Sequence, residues 1–432
     1  MNRKFKIGAI SVIALALLAS CATESNTTET IKEDGSTLVV TRTDEVKEPR
    51  TFIPVAIEDI ENQNSETVVT YSQRLLNEET TMLKTVDVYN VDNKNLSSWQ
   101  FSSDEGGTDH EQAAPNPLSF LTAGITSDLL TQLQRGIDVL ELDVDSVKVE
   151  VQVDFSWRDM MTPNWRGYTD KVLANIIIES NENEEAIEEL KEYAINSWAS
   201  GEGFKNSTSV DADFVVTRDY EVGQTSNVGS VPSDISLDGD FTLSQKTGSP
   251  DINTFELGED VGGDMDMGSM PSEVYFSVVA TAVPYEDENR EYMNEITVRA
   301  LQDNYTGWIL YADDSYTSKG VDKAPTSWDY VTGGTSLCLM SQLSLMQMMF
   351  PQVDDFSISH QFLYTQDDFM SDTMSGNTLD NIITRCEVYT QASDEEAKAY
   401  FYQSLSCCFA GEAFTGETEM DTNLYLNNSI VE

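Results

Sequence analysis

The chain has 432 residues, of which 75 are acidic and 25 basic, so its formal net charge is −50 at pH 7. A protein this acidic repels nucleic acid and anionic lipid headgroups, so nucleic-acid binding is excluded as its function. Hydrophobic residues make up 40% of the sequence, and its length is typical of two domains rather than one. Because the acidic residues are spread along the whole chain, we interpret the charge as surface adaptation to a salty medium.

The N-terminal sequence predicts export. A basic start precedes an apolar run at residues 7–18, which is too short to span a bilayer and is typical of a secretory signal. The run ends in Leu-Ala-Ser-Cys, an ending that resembles the bacterial lipoprotein box. The resemblance implies that residues 1–20 are a signal peptide and that a lipid on Cys21 anchors the mature chain to the membrane. Ala22 after the cysteine implies the outer membrane, and the sequence leaves both the periplasmic and the surface face as alternatives.

Composition divides the remaining chain into four segments. Residues 21–66 are polar with little periodicity, which predicts a flexible tether. Gly, Ser, Asp and Pro dominate residues 219–271, which predicts a polar linker. The segments that remain, residues 67–218 and residues 272–432, are of similar size and are the two predicted domains.

The two predicted domains are copies of one another. The sequence APNPLSFLTAGITSDLLTQL at residues 114–133 aligns without gaps on APTSWDYVTGGTSLCLMSQL at residues 324–343, and seven of the twenty positions are identical. Composition alone gives roughly one identity, so a duplication is the better explanation. In each copy, periodicity predicts two strands, a long apolar helix, two strands, a second helix and a last strand. We therefore predict an α+β fold with the order β-β-α-β-β-α-β in each copy.

Local signals define parts of the helices. In copy two, Ser393 and Glu396 form a capping box that predicts the start of the second helix, and an apolar face continues from Ala397 to Cys408. Small residues lie on the two long helices, Ala123-Gly124 in copy one and Gly333-Gly334 in copy two. They predict that the backbones of these helices approach closely.

The order of elements and two cysteines resemble the OsmC/Ohr family, the osmotically inducible and organic hydroperoxide resistance proteins. The first helix of that family carries a cysteine eleven residues after a proline, and here Cys338 lies eleven residues after Ser327. The second helix of the family ends in a cysteine six residues before an apolar residue, as Cys408 precedes Phe414. Because the family is an intertwined dimer, the resemblance implies two OsmC-like domains that form an intramolecular pseudo-dimer, and hence a monomeric protein.

The same resemblance implies a thiol peroxidase. In the family the first cysteine, here Cys338, attacks a peroxide as a thiolate, and the second, here Cys408, condenses with the sulfenic acid. A dithiol reductant is the partner that resets the pair. An arginine and a glutamate activate the thiol in the family. Here Arg299 on a strand of copy two, or Arg74 from copy one, is the candidate arginine, and Asp329 is the candidate substitute for the glutamate.

The residues themselves leave the role of the two cysteines open between two classes of function. Copy one has Asp128 and Trp198 where copy two has the two cysteines, so it has no thiol chemistry. The pair in copy two is either a redox pair or a set of buried structural thiols, since cysteine is often a small buried hydrophobe. The corresponding functions are peroxide reduction and a non-catalytic scaffold or binding module. The additional thiol of Cys407 either pairs with Cys386 or stays free.

Neither a metal site nor a cofactor is predicted. The two histidines, His110 and His360, lie far apart in the sequence, which argues against a zinc site or a catalytic triad. We interpret the methionine-rich residues 339–350 as helix core and the acidic residues 264–270 as linker. Binding of copper or another cation is the alternative for both segments, and it is the third function class considered.

Overall fold

The computed structural model describes residues 40–43, 65–74, 84–90, 98–105, 112, 114–220, 244–248, 272–285, 292–302, 305, 307–314, 322–365, 378–416 and 418–431. The fold of these residues is a mixture of helices and strands. The predicted signal peptide, Cys21, His110 and the acidic residues 264–270 lie outside them.

The elements follow one another in the same order in both halves of the chain. Strands β1 to β15 are Val40–Thr43, Ser65–Arg74, Lys84–Asn90, Ser98–Ser103, Val144–Arg158, Arg166–Ser180, Ser209–Thr217, Ser244–Gly248, Glu273–Pro284, Met293–Ala300, Gly307–Asp313, Val353–Thr365, Thr378–Thr390, Glu419–Leu426 and Ser429–Val431. Helices α1 to α6 are Pro117–Val139, Glu184–Ser197, Ala199–Lys205, Ser327–Met346, Asp394–Ser406 and Phe409–Thr415. Helices α4, α5 and α6 begin 210 residues after α1, α2 and α3, which is the spacing of the sequence repeat.

Side-chain caps determine where the helices begin. Asn116 accepts a hydrogen bond from the Ser119 N–H at 2.8 Å and starts α1. Helix α5 starts with the predicted capping box, in which Ser393 accepts from the Glu396 N–H and the Glu396 carboxylate accepts from the Ser393 N–H. The capping box at Ser393 is therefore confirmed. These caps satisfy N–H groups that have no partner within the helix.

The strands form two sheets, and each sheet contains strands from both halves of the chain. The strand orders are β1-β4-β3-β2-β12-β13-β7 and β15-β14-β6-β5-β9-β10-β11-β8. Strand β2 pairs antiparallel with β12, and β5 pairs antiparallel with β9. Strand β7 pairs in parallel with β13, and β14 pairs in parallel with β6. All four pairings join the first half to the second, so neither half holds a complete sheet.

Two of the strands at the sheet edges, β1 and β8, were missed in the sequence, whereas the edge strand β7 is the predicted last strand of copy one. β1 lies within the predicted tether and pairs with β4, and β8 lies within the predicted linker and pairs with β11. The tether and linker predictions are therefore wrong for these residues. β4 and β11 are third strands of the two N-terminal hairpin regions, which the predicted order also lacked. Short strands such as these depend on the neighbour with which they pair more than on their own sequence.

The two long helices, α1 and α4, pack against each other in the core. α1 packs on β5, β9 and β10, whereas α4 packs on β2, β3 and β12. A Cβ atom on Gly334 would lie 2.5 Å from Leu121 N, and one on Gly124 would lie 2.7 Å from Ser327 O. The predicted close approach of the two backbones is thus confirmed. In the described part of the chain, no helix is both long and apolar enough to cross a bilayer.

Candidate functional site

Cys338 and Cys408 lie side by side in the core of the second half. Cys338 is on α4, and its Sγ atom is 3.6 Å from the Sγ atom of Cys408. Each residue is 2% exposed, and both are free thiols. The structure therefore brings together the two cysteines that the sequence resemblance assigned to the reacting positions.

Cys408 lies at a break between two helices rather than on a helix. Helix α5 ends at Ser406, and Cys408 is the N-cap of α6 with an extended backbone. Its Sγ atom accepts a hydrogen bond from the Gly411 N–H at 3.3 Å. The predicted apolar face running to Cys408 on one helix is wrong, because Thr169 on β6 holds the start of α6 by donating to the Phe409 carbonyl at 2.9 Å.

The surroundings of Cys338 disfavour its thiolate. Burial raises the pKa of the Cys338 thiol well above its ordinary value, and the hydrogen bond with Cys408 and the charge of Glu105 raise it further. A hydrogen bond from the Ala410 N–H acts in the opposite direction. Because burial is the largest of these causes, the Cys338 thiol is protonated at neutral pH.

An ion pair between a buried lysine and a partly exposed glutamate lies beside the helix of Cys338. The Lys84 Nζ atom is 2.9 Å from Glu105 Oε1, and the lysine side chain is 1% exposed. The same carboxylate oxygen accepts a hydrogen bond from the Ser341 hydroxyl on α4. Ser341 lies three residues after Cys338, so the two side chains share one face of the helix. The ion pair thus connects strand β3 to the helix that carries the first thiol.

The two arginines that were predicted to activate the Cys338 thiol lie in different sheets. Arg299 is on β10, in the sheet that packs against α1, and it alternates with the buried residues Val298 and Ala300. Arg74 ends β2, in the sheet that packs against α4, and its side chain lies outside the described part of the structure. The strand of Arg74 thus belongs to the sheet beside Cys338, and that of Arg299 to the other sheet.

Asp329 has a structural role at the start of α4. Its carboxylate accepts a hydrogen bond from the Thr326 N–H at 2.7 Å, and its own N–H donates to the Thr326 hydroxyl at 3.0 Å. Burial raises its pKa to about 7. It lies nine positions before Cys338 on the helix, which corresponds to about 13 Å along the axis. In this position Asp329 caps the helix and does not reach the thiol pair.

The matching site in the first half has no sulfur. Asp128, at the position of Cys338, accepts hydrogen bonds from the Ser200 hydroxyl at 2.6 Å and the Ser200 N–H at 3.1 Å. Burial raises its pKa to about 6. Trp198, at the position of Cys408, fills the space and donates from its indole N–H to the Ile125 carbonyl at 3.0 Å. This half therefore has a packed, hydrogen-bonded core where the other half has thiols.

The other two thiols of the described chain are buried and unpaired. Cys407 donates to the Trp165 carbonyl at 3.4 Å and accepts from the Gln403 amide at 3.5 Å. Cys386 is on β13 and is likewise a free thiol. Burial raises the pKa of both, that of Cys407 to about 12. Of the alternatives left open by the sequence, Cys407 is free rather than bonded to Cys386.

Neither the histidine nor the methionines form a metal site in the described residues. His360 accepts from or donates to the Ser336 hydroxyl at 2.9 Å, and burial lowers its pKa to about 3. Met340 and Met346 are buried on α4, but the helix ends at Met346, and Met348 and Met349 are each 38% exposed. The interpretation of residues 339–350 as helix core is therefore wrong for these two methionines. No group of three metal-binding side chains occurs in the ranges that the structure covers.

Sequence reasoning missed Lys84 and Glu105. A usable signal was present, because Lys84 shares one face of an alternating strand with Val86 and Val88, which are both fully buried. A lysine in such a row must bury its ammonium group, and a buried ammonium requires an acidic partner. That partner, Glu105, follows β4 and has no local signature, so only the pairing of β3 with β4 reveals it.

Comparisons with known proteins give little beyond this geometry. No protein-family model matches the chain, and no curated protein matches it. Among solved structures, the chain is similar to an OsmC-like hydroperoxide resistance protein from Jannaschia sp. CCS1, with 13% sequence identity and a TM-score of 0.24. The similarity covers 32% of this chain and 88% of that protein.

Proposed function

We propose that the chain is a fused pseudo-dimer of two OsmC-like domains and reduces organic hydroperoxides through Cys338 and Cys408. The observation that carries the proposal is the 3.6 Å separation of the two Sγ atoms. The exchange of strands between the halves in both sheets supports the pseudo-dimer. Because a fold does not determine a function, the thiol geometry is the basis for the chemistry.

The proposed reaction proceeds in two thiol steps. The Cys338 thiolate attacks an oxygen of the hydroperoxide, the O–O bond breaks, and the alkoxide takes up a proton and leaves as an alcohol. The Cys408 thiolate then attacks the sulfur of the resulting sulfenic acid, so that the S–S bond forms, the S–O bond breaks, and the departing hydroxide takes up a proton and leaves as water. The two thiols lose two electrons and the peroxide gains them. An external dithiol reductant reduces the disulfide by exchange.

The reaction requires an opening of the closed arrangement. Cys338 is 2% exposed, and burial raises the pKa of its thiol, so a hydroperoxide needs both access and a hydrated sulfur. The Sγ atoms must also approach from 3.6 Å to the bonded distance of about 2.05 Å. Helix α6 has seven residues and carries Cys408 at its N-cap. Displacement of this helix would expose both sulfurs.

Peptide mapping after oxidation tests the proposed chemistry. Reduced protein treated with one equivalent of tert-butyl hydroperoxide is expected to yield a peptide pair linked through Cys338 and Cys408. Cys338→Ser should abolish the linkage, and Cys408→Ser should leave a sulfenic acid that dimedone traps on Cys338. The neighbouring variant Cys407→Ser is the matched control and should form the linkage as the parent does. Hydroperoxide that leaves both thiols intact would contradict the proposal.

A non-catalytic scaffold or binding module is the second candidate. The observation that favours it is the acidic, buried setting of Cys338, in which Glu105 and burial both raise the pKa of the thiol. In this alternative Cys338 and Cys408 fill the volume that Trp198 fills in the first half. The oxidation experiment separates the two candidates, because inert core thiols react with hydroperoxide only when the protein is unfolded.

We also propose that a lipid on Cys21 anchors the mature protein to the outer membrane. The support is the sequence of residues 1–21 alone. In a Gram-negative host, the full chain is expected to incorporate labelled palmitate and to fractionate with outer membranes. Cys21→Ser should lose the label without changing the fold, because residue 21 precedes every described element. Equal labelling of the parent and the variant would refute the anchor.

A further inference from the structure

A charged side chain occurs beside the thiols and a neutral one occurs at the matching place in the other half. Lys84 on β3 pairs with Ser103, and Asn294 on β10 pairs with Ala312. β3 and β10 are the corresponding strands of the two halves, so Lys84 and Asn294 occupy equivalent positions. The site of Cys338 thus has a buried cation that comes from the first half of the chain, whereas the site of Asp128 has an amide that comes from the second half.

The neighbours of the two residues also correspond. Glu105 accepts from Ser341 on α4, and Asp314 accepts from Thr131 on α1. Asn294 donates to Thr131 at 3.0 Å, so an uncharged side chain is the residue beside this acid. At each of the two sites, an acidic side chain is therefore hydrogen-bonded to a hydroxyl three residues after Cys338 or Asp128 on the long helix. Only the site with thiols also has a full positive charge.

The placement of Lys84 is costly for a purely structural role. An ammonium group that is 1% exposed loses its hydration, and its 2.9 Å contact with Glu105 offsets part of that cost. An amide serves at the same position of the other half, so the fold does not require a charge there. The presence of the cation follows the presence of the cysteine, which indicates a role in the chemistry of the sulfur.

We propose that Lys84 is a positioning residue for the thiol pair, whose charge, acting through Glu105, offsets the negative charge that this carboxylate places near Cys338. The functional meaning of this inference rests on the proposed thiol chemistry. The experiment that tests it measures the reactivity of Cys338 and does not require peroxidase activity. Glu105 by itself raises the pKa of the Cys338 thiol. Without Lys84 the carboxylate would act unopposed, and without Glu105 the lysine would stabilise the thiolate.

Other titratable groups near Cys338 and its helix do not replace this ion pair. Cys408 is the neighbour on the side of α6. His360, on β12, is bonded to Ser336, and burial lowers its pKa to about 3, so it is neutral. The Tyr400 hydroxyl on α5 donates to the Leu343 carbonyl at 2.9 Å.

The remaining groups lie around Glu105 and on the neighbouring elements. Burial, together with the charges of Glu105 and Asp104, raises the pKa of Tyr305, so that this phenol stays neutral. On α1, Asp128 is bonded to Ser200. Lys84 is thus the cation that the described contacts bring nearest to the carboxylate beside the thiol.

The test measures the pH dependence of Cys338 alkylation by iodoacetamide, read by peptide mass in full-length protein that carries Cys408→Ser. Lys84→Met is expected to raise the pH midpoint by about one unit, which is about tenfold slower alkylation at a fixed pH. Glu105→Gln is expected to lower the midpoint by a similar amount. Lys84→Arg should restore the parent midpoint, since it keeps the charge. Asn294→Leu, at the equivalent position of the other half, is the matched control and should not move it.

Opposite shifts for the lysine and glutamate variants support the inference. If the ion pair were merely structural, both variants would lose stability and neither pH midpoint would move, and this result would overturn the inference. Shifts of the two midpoints in the same direction would also overturn it. If Lys84→Met does not fold, the other two variants test the inference. It then requires a lower pH midpoint for Glu105→Gln and the parent midpoint for Lys84→Arg. If the midpoints move as expected and hydroperoxide still fails to link Cys338 to Cys408, the inference stands and the peroxidase proposal falls.

Discussion

Severed between residues 220 and 244, the chain is expected to give two fragments, neither of which folds as a monomer. The reason is the exchange of strands. The first fragment keeps β5 but loses its partner β9, which covers it from Val149 to Arg158, and it keeps β2 but loses β12. Each of these strands would expose an unpaired edge, and α1 would lose its contact with α4. Circular dichroism and light scattering measure the outcome for each fragment.

Co-expression of the two fragments is the control for this experiment. It should restore a folded 1:1 complex, because every strand then regains its partner without a new covalent bond. A fragment that forms a homodimer is compatible with the exchange of strands between the halves, since such a dimer would exchange the same strands. A folded monomeric fragment, with cooperative urea unfolding, would contradict the arrangement, because it would show that one half can complete a sheet alone.

Gly334→Ala is expected to lower the free energy of unfolding by about 3 kcal/mol. The added methyl group would lie 2.5 Å from Leu121 N and 2.8 Å from Pro117 O. Both atoms are backbone, so no side-chain rotation relieves the overlap, and α1 and α4 must move apart along their contact. This cost exceeds the gain of about 1 kcal/mol that alanine brings over glycine within a helix. Urea unfolding of the purified variant measures the difference.

Gly411→Ala is the matched control for the helix contact. Its methyl group would lie 3.4 Å from Cys408 Sγ, which is an ordinary contact distance. The free energy of unfolding of this variant should change by no more than about 1 kcal/mol. An unfolding midpoint of Gly334→Ala that equals the parent's would show that the two helices are not in the contact described.

Several features of the fold could be predicted because their signals are local. The capping box of Ser393 and Glu396 lies within four residues, and alternation over 147–155 predicts a strand without knowledge of its neighbour. The 210-residue repeat aligns Asp128 with Cys338 by counting alone. Small residues at Gly124 and Gly334 indicate a close contact, since a larger side chain is excluded wherever two backbones meet.

Other features could not be predicted because they arise from distant segments. The break of the second helix at Cys408 follows from its packing against β6, where Thr169 holds the next helix. The edge strand β1 exists through its pairing with β4, from Val40 and Phe101 to Thr43 and Ser98. Its four residues carry no helical or strand periodicity that could distinguish them from a tether.

For this protein, the sequence by itself determined that a duplicated α+β chain carries cysteines at two matching positions in only one copy. Repeats, caps and periodicity are properties of neighbouring residues, and they survive without coordinates. Only the tertiary structure decided which strands pair across the copies, that the Sγ atoms of Cys338 and Cys408 lie 3.6 Å apart, and that the Lys84–Glu105 pair lies near them. These are contacts between residues far apart in the chain, and they depend on how the two copies pack together.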